Sequence, residues 1–253
     1  MPDRNESFEA LFLRSKESPS GDRIVSMLSA EAGIVDAFVF GGPRSSLRSS
    51  ASPFVFAKVF IYADPVKHYR KLSDLSIIES FSRLRESYSR LWSASVIAEL
   101  IIKTSGCGGE YAEVLELSLQ ALRLLNDEED ERADMTLLAY LWKILEIMGL
   151  RPDLERCAGC GKALVLRDGG AGAVPAGMQY SAAHDGFVCD SCGRDGLPLG
   201  KDELDCLIGF SRGSLAESSI LRADDATLSS LKGIIYYISQ KAAEGTLLTL
   251  MSQ

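Results

Sequence analysis

Histidine is scarce in this 253-residue chain: there are two, His68 and His184, in different regions. No H-E-x-x-H pair can therefore place two imidazoles on one helix turn, and no Ser-His-Asp set has a base near a nucleophile. The phosphate-loop ending G-K-[ST] is also missing. Its nearest approach, Gly41-Gly42-Pro43-Arg44-Ser45-Ser46, is followed by no obvious helix pattern, which argues against a nucleotide hydrolase. No run approaches the roughly 20 apolar residues of a membrane span, and polar Met1 to Ser7 leads into no apolar signal segment. These absences point to a cytoplasmic, unprocessed binding protein rather than an enzyme, with no membrane partner.

What is present suits a folded chain. Hydrophobic residues make up 46% and charged residues 25%, enough for one large domain or a few small ones. The net charge is -8 and the pI about 5.0, which disfavours a generally basic nucleic-acid binder. The charge is uneven, however: residues 1–71 carry 10 Lys and Arg against 8 Asp and Glu, and the remainder 17 against 27. Any contact with phosphates is expected in the first 70 residues or so.

Four segments rich in β-branched and aromatic residues open the chain, at 8–13, 23–28, 34–40 and 54–62, separated by turn residues such as Ser18-Pro19-Ser20-Gly21. A fifth, from about His68 to Leu72, would complete a small closed barrel, which removes exposed sheet edges. The aromatics Phe38, Phe40, Phe54, Phe56 and Phe60 alternate in these strands and read mostly as core. From Asp74 the period changes: Ile77, Phe81, Leu84, Tyr88 and Leu91 recur at steps of four and three, predicting a helix to about Lys103. Further helical faces follow around 111–125, 137–148, 204–211 and 228–238. The expected class is α+β: an amino-terminal OB-fold β-barrel (1–73), a helical bundle domain (74–150 and 201–253), and an inserted four-cysteine module (151–200).

That insertion carries Cys157-Ala158-Gly159-Cys160-Gly161 and Cys189-Asp190-Ser191-Cys192-Gly193. Each pair presents two sulfurs from a tight knuckle, and together Cys157, Cys160, Cys189 and Cys192 suit tetrahedral Zn2+; disulfides or an iron–sulfur cluster are the alternatives. Four sulfurs leave no open position, so the metal would be structural. The remaining cysteines, Cys107 in a glycine turn and Cys206 on a helix face, read as buried small residues. On the barrel, Arg14, Lys16, Arg23, Arg44, Arg48 and Lys58 are the candidate phosphate contacts, with Arg44 and Arg48 favoured because they share a glycine-bearing loop.

Several segments also resemble the bacterial recombination mediator family RecO. They are Ala10-Leu11-Phe12-Leu13-Arg14-Ser15, Asp22-Arg23-Ile24-Val25, Glu31-Ala32-Gly33-Ile34, the loop Gly41 to Ser49, the run Leu145 to Gly161, and Asp185-Gly186-Phe187-Val188-Cys189. The resemblance spans roughly residues 6 to 240. It implies a single-stranded-DNA-binding OB domain, a helical domain and a zinc module, in a DNA repair and recombination protein associated with the nucleoid. Such a protein anneals strands and helps load recombinase onto DNA coated by single-strand-binding protein, acting with a RecR-like partner. The loop here is thinner in Lys and Arg than the family's, and the alternative expectation is a protein-interaction adaptor with little DNA binding of its own.

Overall fold

The computed structural model describes residues 4–17, 21–41, 45–64, 69–127, 129–164, 177–193 and 196–252. The chain is α+β and divides into two compact units, residues 1–133 with 243–253, and residues 134–242.

In the first unit, five strands close into an OB-type barrel in the order β1-β2-β3-β5-β4. These are β1 (Asn5–Glu17), β2 (Arg23–Ser29), β3 (Gly33–Val39), β4 (Val55–Asp64) and β5 (Tyr69–Ser80). Closure depends on β1 serving two neighbours: its first half pairs with β4 and its second half with β2, with a register shift between Phe12 and Arg14. Strand alternation points Phe8, Ala10 and Phe12, Val25 and Met27, Val35, Ala37 and Val39, and Val55, Ala57, Val59 and Ile61 inward as one core. A five-residue helix, α1 (Ser46–Ser50), follows the Gly41 loop, where sequence periodicity shows no helix because one turn is too short to display a period. Ser45 caps it, Leu47 packs against the barrel core and Ala51 is fully buried.

The helix expected from Asp74 is corrected. β5 continues to Ser80 against β4, with bulges between Phe56 and Ala57 and between Phe60 and Ile61. A 3-10 turn, Ser82–Glu86, then leads into α2 (Tyr88–Lys103). Phe81 and Leu84 are buried at the turn, while Ile77 and Ile78 stay about half exposed on the strand. The four-and-three spacing is thus shared between three elements. Helix α3 (Tyr111–Asp127) buries Val114, Leu115, Leu122 and Leu125 as its period requires. The carboxyl-terminal residues lie along α2: Glu99 accepts the amides of Leu248 and Thr249, and Trp92 Nε1 donates to the Thr249 carbonyl at 2.9 Å.

In the second unit, α4 (Ala133–Ile147) is apolar around its circumference and buried accordingly. Its Trp142 Nε1 donates to Ser211 Oγ at 2.9 Å, and Lys143 Nζ donates to the Phe210 carbonyl at the carboxyl end of α5 (Lys201–Arg212). Two helices complete it, the capped turn α6 (Leu215–Ser219) and α7 (Asp225–Ala242), which buries Leu231, Ile234, Ile235 and Ile238. A small antiparallel sheet, β6 (Gln179–Ser181), β7 (Gly186–Val188) and β8 (Leu197–Pro198), carries the second cysteine pair. No helix among the described residues is long and apolar enough to cross a membrane.

Candidate metal centre and nucleic-acid interface

The four knuckle cysteines converge. Residues Glu155 to Leu164 fold back on themselves through the Leu164 amide to the Glu155 carbonyl (2.7 Å) and the Cys157 amide to the Lys162 carbonyl (2.8 Å). The Ala158 amide then bonds the Phe187 carbonyl of β7, bringing Cys157 beside Cys189. Gly161 follows the first knuckle with φ of +72°, a conformation glycine takes without a side-chain clash. The four sulfurs lie within 4.8 Å of one another, and Cys157–Cys189 and Cys160–Cys189 are each 3.8 Å apart. A tetrahedron of sulfurs about 2.3 Å from a central zinc has edges of about 3.8 Å, so the arrangement fits such an ion.

The electrostatics also fit a cation. Burial opposes ionisation of Cys157, but the amides of Cys189, Cys160 and Gly159 face its sulfur and bring its pKa down to about 6. Cys192, engaged by the side chains of Cys160 and Cys189, is pushed up to about 12. Four adjacent thiols cannot all ionise without a positive centre among them. His184 stands outside the cluster, its Nδ1 hydrogen-bonded with Ser181 Oγ at 3.0 Å. Cys107 and Cys206 are buried, and burial pushes the Cys107 thiol up to about 11, as expected of inert residues.

On the barrel, cross-strand register aligns Lys16 of β1, Ile24 of β2, Phe38 of β3 and Lys71 of β5 in one row. Val25 and Val39 point into the core, so this row points outward. Arg14, Ser26 and Asp36 form the neighbouring outward row. Phe40, 39% exposed, extends the face: its ring lies 6.0 Å from that of Phe38 with planes 10° apart, and Tyr69 meets Phe38 edge-on at 6.2 Å. Lys71 Nζ sits 5.7 Å from the Phe40 ring centroid.

The six cations expected to meet phosphate have different surroundings. Arg14 and Lys16 are exposed, with no salt bridge among the described residues; Arg14 pairs across from the buried Ser26 and also lines a groove with Leu13, Phe54 and Leu91. Arg23 and Arg48 are tied into the fold: Arg23 Nη1 donates to the Arg48 carbonyl at 2.6 Å, and Arg48 donates to Glu17 Oε1 at 3.0 Å and the Gly41 carbonyl at 3.2 Å. They fasten α1 to the ends of β1, β2 and β3. Lys58 pairs across from Glu9 on β4, seven residues back along β1 from Lys16, roughly 20 Å away at strand rise, and lies 6.0 Å from the Phe60 ring. Arg44 and His68 lie outside the described residues.

The core assignment of the aromatics is corrected for three of five: Phe54 and Phe56 are buried, whereas Phe60 and Phe40 are exposed and Phe38 half-buried. Tyr69 and Lys71 are not singled out by sequence reasoning. The available signal was parity, since Val35, Ala37 and Val39 form the more uniform inward set of β3 and leave Phe38 and Phe40 outside.

An OB barrel with cations and rings on one open face, in a chain that also holds a four-sulfur cluster between helices, defines a barrel-and-helix protein with a metal-ready knuckle pair. The family described as Recombination protein O N terminal matches residues 3–81, and Recombination protein O C terminal matches residues 85–249. Among curated proteins, the chain is 28% identical over 221 residues to the DNA repair protein RecO of Pelotomaculum thermopropionicum, covering 85% of this chain and 80% of that protein. It is 27% identical over 217 residues to the RecO protein of Symbiobacterium thermophilum (85% and 83%) and 25% over 238 residues to that of a Roseiflexus species (93% and 80%). The chain belongs to the RecO family of DNA repair proteins.

Proposed function

We propose that this chain is a non-enzymatic, cytoplasmic and nucleoid-associated mediator of recombination. It binds single-stranded DNA on its barrel, promotes strand annealing, and with a RecR-like partner helps load recombinase onto DNA coated by single-strand-binding protein. The observation that carries this reading is the cross-strand row that sets Lys16 and Lys71, with Arg14 beside it, on one outward barrel face of a chain whose net charge is -8. Cations aligned in such a track attract a polynucleotide backbone even where the summed charge of the molecule is negative. Family membership supports the repair role and its partners. Cys157, Cys160, Cys189 and Cys192 hold zinc as a structural staple in this reading, since four sulfurs complete its shell.

A second reading, an adaptor with little intrinsic DNA binding, is favoured by an apolar groove of about 560 Å³ in the first unit, lined by Leu13, Phe54, Leu91 and Ile102 among others. Annealing of complementary oligonucleotides, bare and coated with single-strand-binding protein, separates the two. The mediator reading expects the full chain to speed annealing, with single-strand binding that weakens steeply as salt rises. Marginal binding even at low salt, with no gain in annealing, would favour the adaptor.

A further inference from the structure

We propose that Phe38, Phe40 and Tyr69, flanked by Lys71 and Lys16, form a base-stacking subsite that selects unpaired nucleotides over duplex. This rests on the reading of the barrel as a nucleic-acid-binding domain, and names what that face takes.

The rings belong to no core. Residues on either side of Phe38, Ala37 and Val39, are in the barrel interior, and Phe38 and Phe40 therefore stand on the outer surface one strand step apart. Two rings, Phe40 and Tyr69, meeting Phe38 on an outer surface are not needed to fill the barrel, whose interior is already occupied by aliphatic side chains and Phe8 and Phe12. Phe38 and Phe40 present nearly parallel planes, 10° apart, so two neighbouring bases of an extended strand can each meet a ring. Tyr69 braces Phe38 edge-on, which fixes that ring before any ligand arrives.

The charges fit the same ligand. Lys71 lies over the Phe40 ring and brings a cation to the edge of the platform. Lys16 marks the far end of the row, three strand spacings away, about 14 Å at about 4.8 Å per spacing. A few nucleotides cover that span, within the roughly 4–16 nucleotides an OB barrel occupies. Asp36, on the same face two residues before Phe38, disfavours phosphate at that margin and directs the backbone toward Lys71 and Lys16. In a duplex the bases stack on one another, so the rings add affinity for unpaired strands alone, whereas the cations serve both.

The test uses the full-length protein with a labelled oligothymidylate and a duplex of the same length, each titrated with salt. Phe40→Leu, and Phe38→Leu with Tyr69→Leu, keep apolar volume at surface positions, and an unchanged melting curve verifies their folding. Each is expected to weaken oligothymidylate binding by roughly 5- to 100-fold, leave duplex binding unchanged, and leave the salt slope unchanged because no charge is removed. Lys71→Gln is expected to lower that slope by about 0.7. Phe40→Trp is expected to retain affinity and to lose fluorescence when the oligothymidylate stacks on the indole. If wild type binds and the lysine variant shows its effect, but the ring variants match wild type and the new tryptophan is unquenched, the stacking subsite is overturned while the binding reading stands. Quenching by a proline-rich peptide but not by oligothymidylate would overturn it in favour of peptide docking. Absence of wild-type binding at low salt would remove both.

Discussion

Gly33 illustrates how one residue sets a corner of the barrel. It opens β3 with φ of +66°, and a methyl group there would come within 2.7 Å of the Tyr111 ring. Both the backbone conformation and the space are denied to alanine. Gly33→Ala is expected to cost about 1–3 kcal/mol in chemical denaturation, from strain plus overpacking. A loss below a few tenths of a kcal/mol would mean that the ring moves aside freely. At the same scale, Arg48 and Arg23 show why a basic loop seen in sequence is an ambiguous signal. Their guanidinium groups serve Glu17, the Gly41 carbonyl and the Arg48 carbonyl, so part of the loop's charge holds α1 rather than facing solvent.

At the scale of elements, the knuckle module was the most legible part of the chain. Two C-x-x-C pairs carry their chemistry in their spacing, and the structure places all four sulfurs within 4.8 Å of one another. The expected consequence of proposed zinc binding is local. Cys157→Ser or Cys189→Ser should lose stoichiometric zinc and raise amide exchange in residues 151–200, while the strands β1 to β3 keep their protection, because ligand binding is coupled to local folding. Full zinc retention by both variants, measured by metal analysis, would contradict it. The helices α3, α4, α5 and α7 were legible because each repeats apolar residues at helical spacing over two turns or more. The α2 region was not: the period from Ile77 to Leu91 runs through a strand, a 3-10 turn and a helix, and the β4–β5 bulges that keep Ile77 in a strand leave no mark in composition. The face of β3 was legible by parity alone, and aromatic character argued the other way for Phe38 and Phe40. Lys71 could not be found without the register, since among the described residues the parallel pairing of β3 with β5 is set by Phe38 opposite Lys71.

At the scale of the molecule, an acidic chain sets Arg14, Lys16 and Lys71 and the rings of Phe38, Phe40 and Tyr69 in adjoining outward rows of a closed barrel, apart from Lys58 and Phe60 on β4. Charge summed over residues 1–71 is close to neutral, so attraction for a polyanion depends on arrangement rather than on total charge. Photo-cross-linking tests this most directly: the full-length protein is irradiated with a bromouracil-substituted single strand and the attached peptides are mapped. Cross-links are expected in residues 14–16, 36–41 and 69–71, and are expected to vanish when salt is raised. Cross-links confined to the helices of residues 134–242, with the barrel unlabelled, would contradict it.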